Sequence, residues 1–127
     1  MSCKFIRLIT VIITAGLLAL GQPAFAQKAG PNGGKLAGKD GHETELVLSP
    51  TEITIYLIDN GKVEPTKGAV VQAVMQVAGA TTTVQLVDTD GKRLIGKLAS
   101  PLMSGAIVVI SGKDDHGHAI SSRYVIE

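Results

Sequence analysis

Three histidines are the side chains in this sequence best suited to chemistry, and all three stand in polar segments: His42, His116 and His118. Two of them belong to the run Asp114-Asp115-His116-Gly117-His118. Residues two apart in an extended chain point to the same side, so these two imidazoles are placed to reach one ion. Asp114 or Asp115 adds a hard oxygen donor. Imidazole with carboxylate suits divalent copper, zinc or nickel, and the general affinity order favours copper. His42 heads a second donor group, His42-Glu43-Thr44-Glu45. The expected metal ligands are therefore His116, His118, His42 and Asp114, holding a divalent copper or zinc ion. The same Asp-Asp-His-Gly-His composition also serves a solvated hairpin tip, where Asp and Gly satisfy turn geometry. A zinc signature of three or four ligands at defined spacing is not present. Both readings stand at this level.

Catalysis has less to work with. The chain holds no Gly-x-Ser-x-Gly elbow and no glycine-rich loop entering a helix to cradle phosphate. Its close carboxylate pairs, Glu43/Glu45 and Asp114/Asp115, read as solvated. The expectation is a protein that is not an enzyme. Two thioethers remain as soft donors. Met75 falls on the apolar face of a strand and reads as core, while Met103 lies in a loop over residues 100–105. Tyr124 shares a strand face with Ile120 and Ile126, which reads as packing with the hydroxyl at the rim.

These residues need a compartment and a scaffold. Lys4 and Arg7 precede an apolar run of 13 residues at 8–20, followed by Gly21-Gln22-Pro23 and an Ala24-Phe25-Ala26 cleavage site. A bilayer-spanning helix needs roughly 20 apolar residues, so residues 1–26 read as a cleaved signal peptide. The product is expected to be periplasmic or secreted. Cys3, the sole cysteine, leaves with the signal, and disulfides and thiolate ligands leave with it. The remaining 101 residues carry 10 basic and 11 acidic side chains. That balance offers no basic footprint for nucleic acid and no polybasic patch for a membrane. Two aromatics remain, Tyr56 and Tyr124, too few for stacking platforms.

Residues 27–41 are rich in Gly and Lys and lack an apolar period. They read as an extended lead-in with a turn at Pro31-Asn32-Gly33-Gly34. Over 42–127 the chain becomes short β-branched segments between turn signals. Strands are predicted at 43–48, 52–58, 69–78, 81–87, 93–98, 106–111 and 118–126. Ile53, Ile55 and Leu57 fall on one face of the second; Val71, Ala73, Met75 and Val77 fall on one face of the third. Asp59-Asn60-Gly61-Lys62 and Gly79-Ala80 mark tight turns. About seven such strands, without a buried Trp or paired cysteines, predict an all-β, small Ig-like β-sandwich.

From Gly30 onward the chain resembles the N-terminal domain of periplasmic adaptor subunits of heavy-metal efflux pumps, a domain that small exported proteins also carry alone. In that family a Gly-Pro-His-Gly-Gly segment precedes a Glu-Leu strand. The matching residues are Gly30-Pro31-Asn32-Gly33-Gly34-Lys35-Leu36 and His42-Glu43-Thr44-Glu45-Leu46. Tyr56-Leu57-Ile58-Asp59-Asn60-Gly61-Lys62 with Pro65, and the stretch from Asp114 to Tyr124, are similar to later parts of it. The family's histidine is Asn32 here, and an amide is a poor metal ligand; His42 is the ligand candidate the resemblance carries over. No heptad-patterned hairpin or second domain accompanies the match, as a complete adaptor would require. The resemblance implies an exported, non-catalytic module associated with divalent metal handling, with an envelope partner such as a metal efflux component. The alternative is a docking module with no metal role, meeting its partner through an edge strand or a face bearing Glu52, Thr54 and Tyr56.

Overall fold

The computed structural model describes residues 28–39 and 41–127. The signal expected over 1–26 lies outside the described residues. Within them every regular element is a strand, and the strands form an antiparallel β-sandwich. In chain order they are β1 (Lys35–Lys39), β2 (His42–Leu48), β3 (Glu52–Asp59), β4 (Lys62–Glu64), β5 (Val70–Val77), β6 (Ala80–Asp88), β7 (Leu94–Lys97), β8 (Ile107–Lys113) and β9 (Ala119–Val125). All seven expected strands are present with small boundary shifts.

The two additional strands, β1 and β4, escape pattern reading for different reasons. β1 has the sequence Lys-Leu-Ala-Gly-Lys and no apolar alternation. It forms because its backbone pairs along β2, from Lys35 opposite Leu46 to Lys39 opposite His42. β4 is three residues long. It exists because Asn60 and Gly61 both adopt positive φ, 48° and 81°, which closes a two-residue hairpin onto β3. A second turn of this kind uses Ala78 and Gly79, at φ 50° and 82°, one residue earlier than the expected Gly79-Ala80.

The strands follow one another laterally as β1-β2-β3-β7-β6-β5-β8-β9, with β4 beside β3. β6 links the two layers: residues 80–86 pair with β5, whereas Val87 and Asp88 turn away to pair with β7. Alternation along the strands then buries one side of each layer. Ile53 and Ile55 from β3 meet Val71, Ala73 and Met75 from β5 and Val108 and Ile110 from β8 in one core. Val77, assigned to the same face as Met75, is exposed at the end of β5. Met75 is core as expected, and Met103 is exposed.

The order brings β9 back over β1 and β2, and this closure is made by side chains. Ser122 Oγ donates to the Ala37 carbonyl at 3.1 Å, and Thr44 Oγ1 donates to Ser122 Oγ at 2.8 Å. The Tyr124 hydroxyl donates to the Thr44 carbonyl at 2.6 Å. Tyr124 is fully buried, so its hydroxyl is inside the seam instead of at the rim. The sequence placed the ring correctly; it could not place the polar partners that let the hydroxyl follow it inside.

That burial has a consequence at high pH. Burial pushes the Tyr124 hydroxyl well above the usual phenol range, against the opposing pull of a hydrogen bond with the Thr44 side-chain hydroxyl at 2.6 Å. Folding therefore favours the protonated form. Its contribution is complete below about pH 10, the ordinary phenol value, and is lost as pH rises beyond it. Urea midpoints measured at pH 8 and pH 11 are expected to fall further in the parent than in Tyr124→Phe. Equal falls in the two proteins would contradict the buried hydroxyl.

Candidate functional site

The hairpin joining β8 to β9 carries two of the histidines. Its backbone is closed by the Asp114 N–H donating to the His118 carbonyl at 3.0 Å and by the Gly117 N–H donating to the Asp114 carbonyl at 3.1 Å. Gly117 has φ 79°, a left-handed conformation that L side chains resist. This is a three-residue turn with a glycine bulge, so His116 and His118 lie on a bend and not on an extended strand. Their rings nonetheless sit together, with centroids 6.0 Å apart.

The Asp114 carboxylate organises this bend. Its Oδ1 accepts the backbone N–H groups of His116, at 2.9 Å, and His118, at 2.8 Å. Its Oδ2 lies 3.1 Å from His118 Nδ1. Desolvation raises the Asp114 carboxyl, but the backbone N–H groups of His118 and His116 and the His118 charge outweigh it and hold the group below its ordinary value. The second aspartate is looser, with Asp115 Oδ1 3.6 Å from His116 Nε2.

The third histidine arrives from the far end of the domain. His42 opens β2, opposite Lys39 on one side and Asp59 on the other. Closure of β9 against β1 and β2 sets it beside the hairpin, its ring centroid 5.6 Å from that of His118. All four residues expected as metal ligands, His42, His116, His118 and Asp114, line one cleft of about 210 Å³. Glu43, Asp59, Glu64 and Asp115 add carboxylates to its wall, while Leu57, Ile58, Pro65 and Ile120 supply the apolar part. Met75 and Met103 are not among the lining residues.

Metal–nitrogen bonds of about 2.0–2.1 Å put the centroids of two imidazoles sharing an ion roughly 4.5–6.4 Å apart, from right-angled to linear coordination. Both observed separations fall inside that interval. Among the described residues no three His, Asp or Glu side chains already converge as a finished metal cage. The imidazole of His116 is 74% exposed, so rotation about its side-chain bonds is open to it, whereas the His118 ring, 62% exposed, is held at Nδ1 by Asp114. What the fold supplies is proximity, and what an ion would have to supply is the last adjustment of the rings.

The sequence reading missed one polar residue of consequence. Glu45, which the sequence pattern places on a solvated face, is fully buried. It lies under the Gly30–Gly34 turn, whose Gly30 and Gly34 close on each other through the Gly30 N–H and the Gly34 carbonyl at 2.8 Å. Only a partner for the glycine-rich turn could have signalled this, and the sequence does not show which strand the turn covers.

No family model and no curated protein matches the sequence. Among solved structures the chain is similar to the crystal structure of the Br derivative of BhCBM56, at 15% identity and a TM-score of 0.43, over 71% of this chain and 97% of that one.

Proposed function

We propose that the chain is an exported, non-catalytic β-sandwich module that binds a divalent metal ion, copper or zinc, through His42, His116 and His118 in the cell envelope. The observation that carries this reading is the meeting of His42 with His118 at 5.6 Å between centroids. A plain solvated hairpin tip explains the composition around His116 and His118. It gives no reason for a third imidazole, distant in sequence, to join them.

Donor chemistry supports a divalent ion of intermediate softness. Among the described residues the cleft is lined by imidazoles and carboxylates and by no sulfur, a set that suits copper(II) and zinc better than copper(I). The exposed setting suits an ion that is picked up and passed on, since water and an incoming ligand can reach it. An envelope partner that receives or delivers the ion fits the same reading.

Calorimetric titration of the purified protein with copper(II) and with zinc tests it. One equivalent of ion per chain is expected to bind. Affinity is expected to weaken as pH falls, because a protonated imidazole has no lone pair to give. Absence of any saturable heat with either ion, at neutral pH, rejects the metal reading and leaves the docking one.

A further inference from the structure

We infer that Asp114 is a positioning residue for this site and not one of its ligands: its carboxylate holds the His118 imidazole in the tautomer that presents Nε2 to the cleft. For metal affinity the inference rests on the proposed metal role. For the tautomer it rests on the hairpin alone.

The carboxylate is already committed. Oδ1 receives two backbone N–H groups, from His116 and His118, and Oδ2 faces His118 Nδ1. An ionised carboxylate is acceptor only, so the facing ring nitrogen must be the donor. The neutral imidazole then carries its proton on Nδ1 and keeps its lone pair on Nε2. That is the arrangement by which a carboxylate orients a metal-binding histidine and raises its basicity. Exposure agrees with this division, since the Asp114 side chain is 20% exposed and the His118 side chain 62%. The carboxylate is tucked behind the ring that reaches outward.

Asp114 also couples tautomer to backbone. The two N–H groups it accepts flank Gly117 in sequence, and the same residue's main chain closes the bend at both its N–H and its carbonyl. Drawing the carboxylate away to bind an ion would release three hydrogen bonds. Leaving it in place costs none of them.

Asparagine at this position separates positioning from ligation. In Asp114→Asn the amide oxygen can keep the two backbone N–H groups, which leaves the amide nitrogen, a donor, facing His118 Nδ1. The ring must then accept there, its proton moves to Nε2, and the lone pair is lost from the cleft side. Nitrogen-15 spectra of the histidine rings, recorded on metal-free protein, read this directly. The parent is expected to show His118 protonated at Nδ1, and Asp114→Asn to show it protonated at Nε2 with the backbone amides of β9 unshifted. Copper(II) affinity is expected to fall about 10- to 100-fold in the variant, the range for lost outer partners of metal ligands.

A parent His118 protonated mainly at Nε2 overturns the inference without any variant. An Asp114→Asn protein that loses copper affinity with its tautomer unchanged also overturns it, and marks Asp114 as a direct ligand. If the parent binds no metal, the tautomer comparison still decides the positioning role, and only the proposed function falls.

Discussion

Replacing Glu45 with alanine is expected to lower the stability of the fold by about 3 kcal/mol. The carboxylate is fully buried on β2. It accepts the Asn32 backbone N–H at 2.9 Å, the Asn32 side-chain amide at 3.0 Å and the Gly34 N–H at 2.8 Å. Hydrogen bonds to an ionised group contribute about 1.5–3 kcal/mol each. Solvent access at the exposed Asn32 lets part of that be recovered by water. Glu45→Gln keeps the shape but turns an amide N–H towards donors, so it is expected to be only partly tolerated. Urea denaturation compares the three proteins through their midpoints at constant slope. A loss below ~0.5 kcal/mol for alanine, the range of ordinary surface changes, would contradict the role assigned to this carboxylate.

Gly30 explains why the arrangement depends on glycine. A Cβ there would run into the Glu45 carboxylate, and one at Gly34 would strike the backbone of Leu46. The turn can lie flat over the outer face of β2 only because both positions lack a side chain. The turn itself was legible in Pro31-Asn32-Gly33-Gly34. Its target was not, because alternation along 43–48 assigns Glu43 and Glu45 to the solvent side of a sheet and cannot know that another segment covers one of them.

The second large effect is expected at His42. His42→Ala should weaken copper(II) binding at least about 10-fold, since a direct ligand counts for no less than an outer-shell partner. Stability should stay within ~0.5 kcal/mol of the parent, because the side chain is exposed. Isothermal titration and urea melts on the same two proteins measure both quantities. A hairpin pair acting alone, His116 with His118, would leave the affinity of His42→Ala unchanged. Removal of the pair in a His116→Ala, His118→Ala double variant is expected to cost still more, at least about 100-fold if each ring contributes the minimum above.

The fold was readable wherever local pattern dictates it. Ile53, Ile55 and Leu57 alternate with Glu52, Thr54 and Tyr56 and are all buried. The Asn60-Gly61 turn lies where turn chemistry put it, and the polar turn read over residues 112–117 starts two residues later, at Asp114, because β8 pairs with β9 as far as Lys113. β1 was hidden because Lys35, Gly38 and Lys39 carry no apolar period, and pairing with β2 alone makes it a strand. The site was readable as three candidate residues and not as one place. His42 meets His118 only through the return of β9 across β2, held by Thr44, Ser122 and Tyr124. Lateral order of strands is a property of the whole chain, and hydrophobic period does not encode it.

The sharing of one ion by all three imidazoles is the claim on which the functional reading turns, and electron paramagnetic resonance of the copper(II)-loaded protein addresses it most directly. Hyperfine coupling to three imidazole nitrogens is expected in the parent and to two in His42→Ala, at one copper per chain. Identical spectra from the two proteins, or coupling to no imidazole in either, would contradict it.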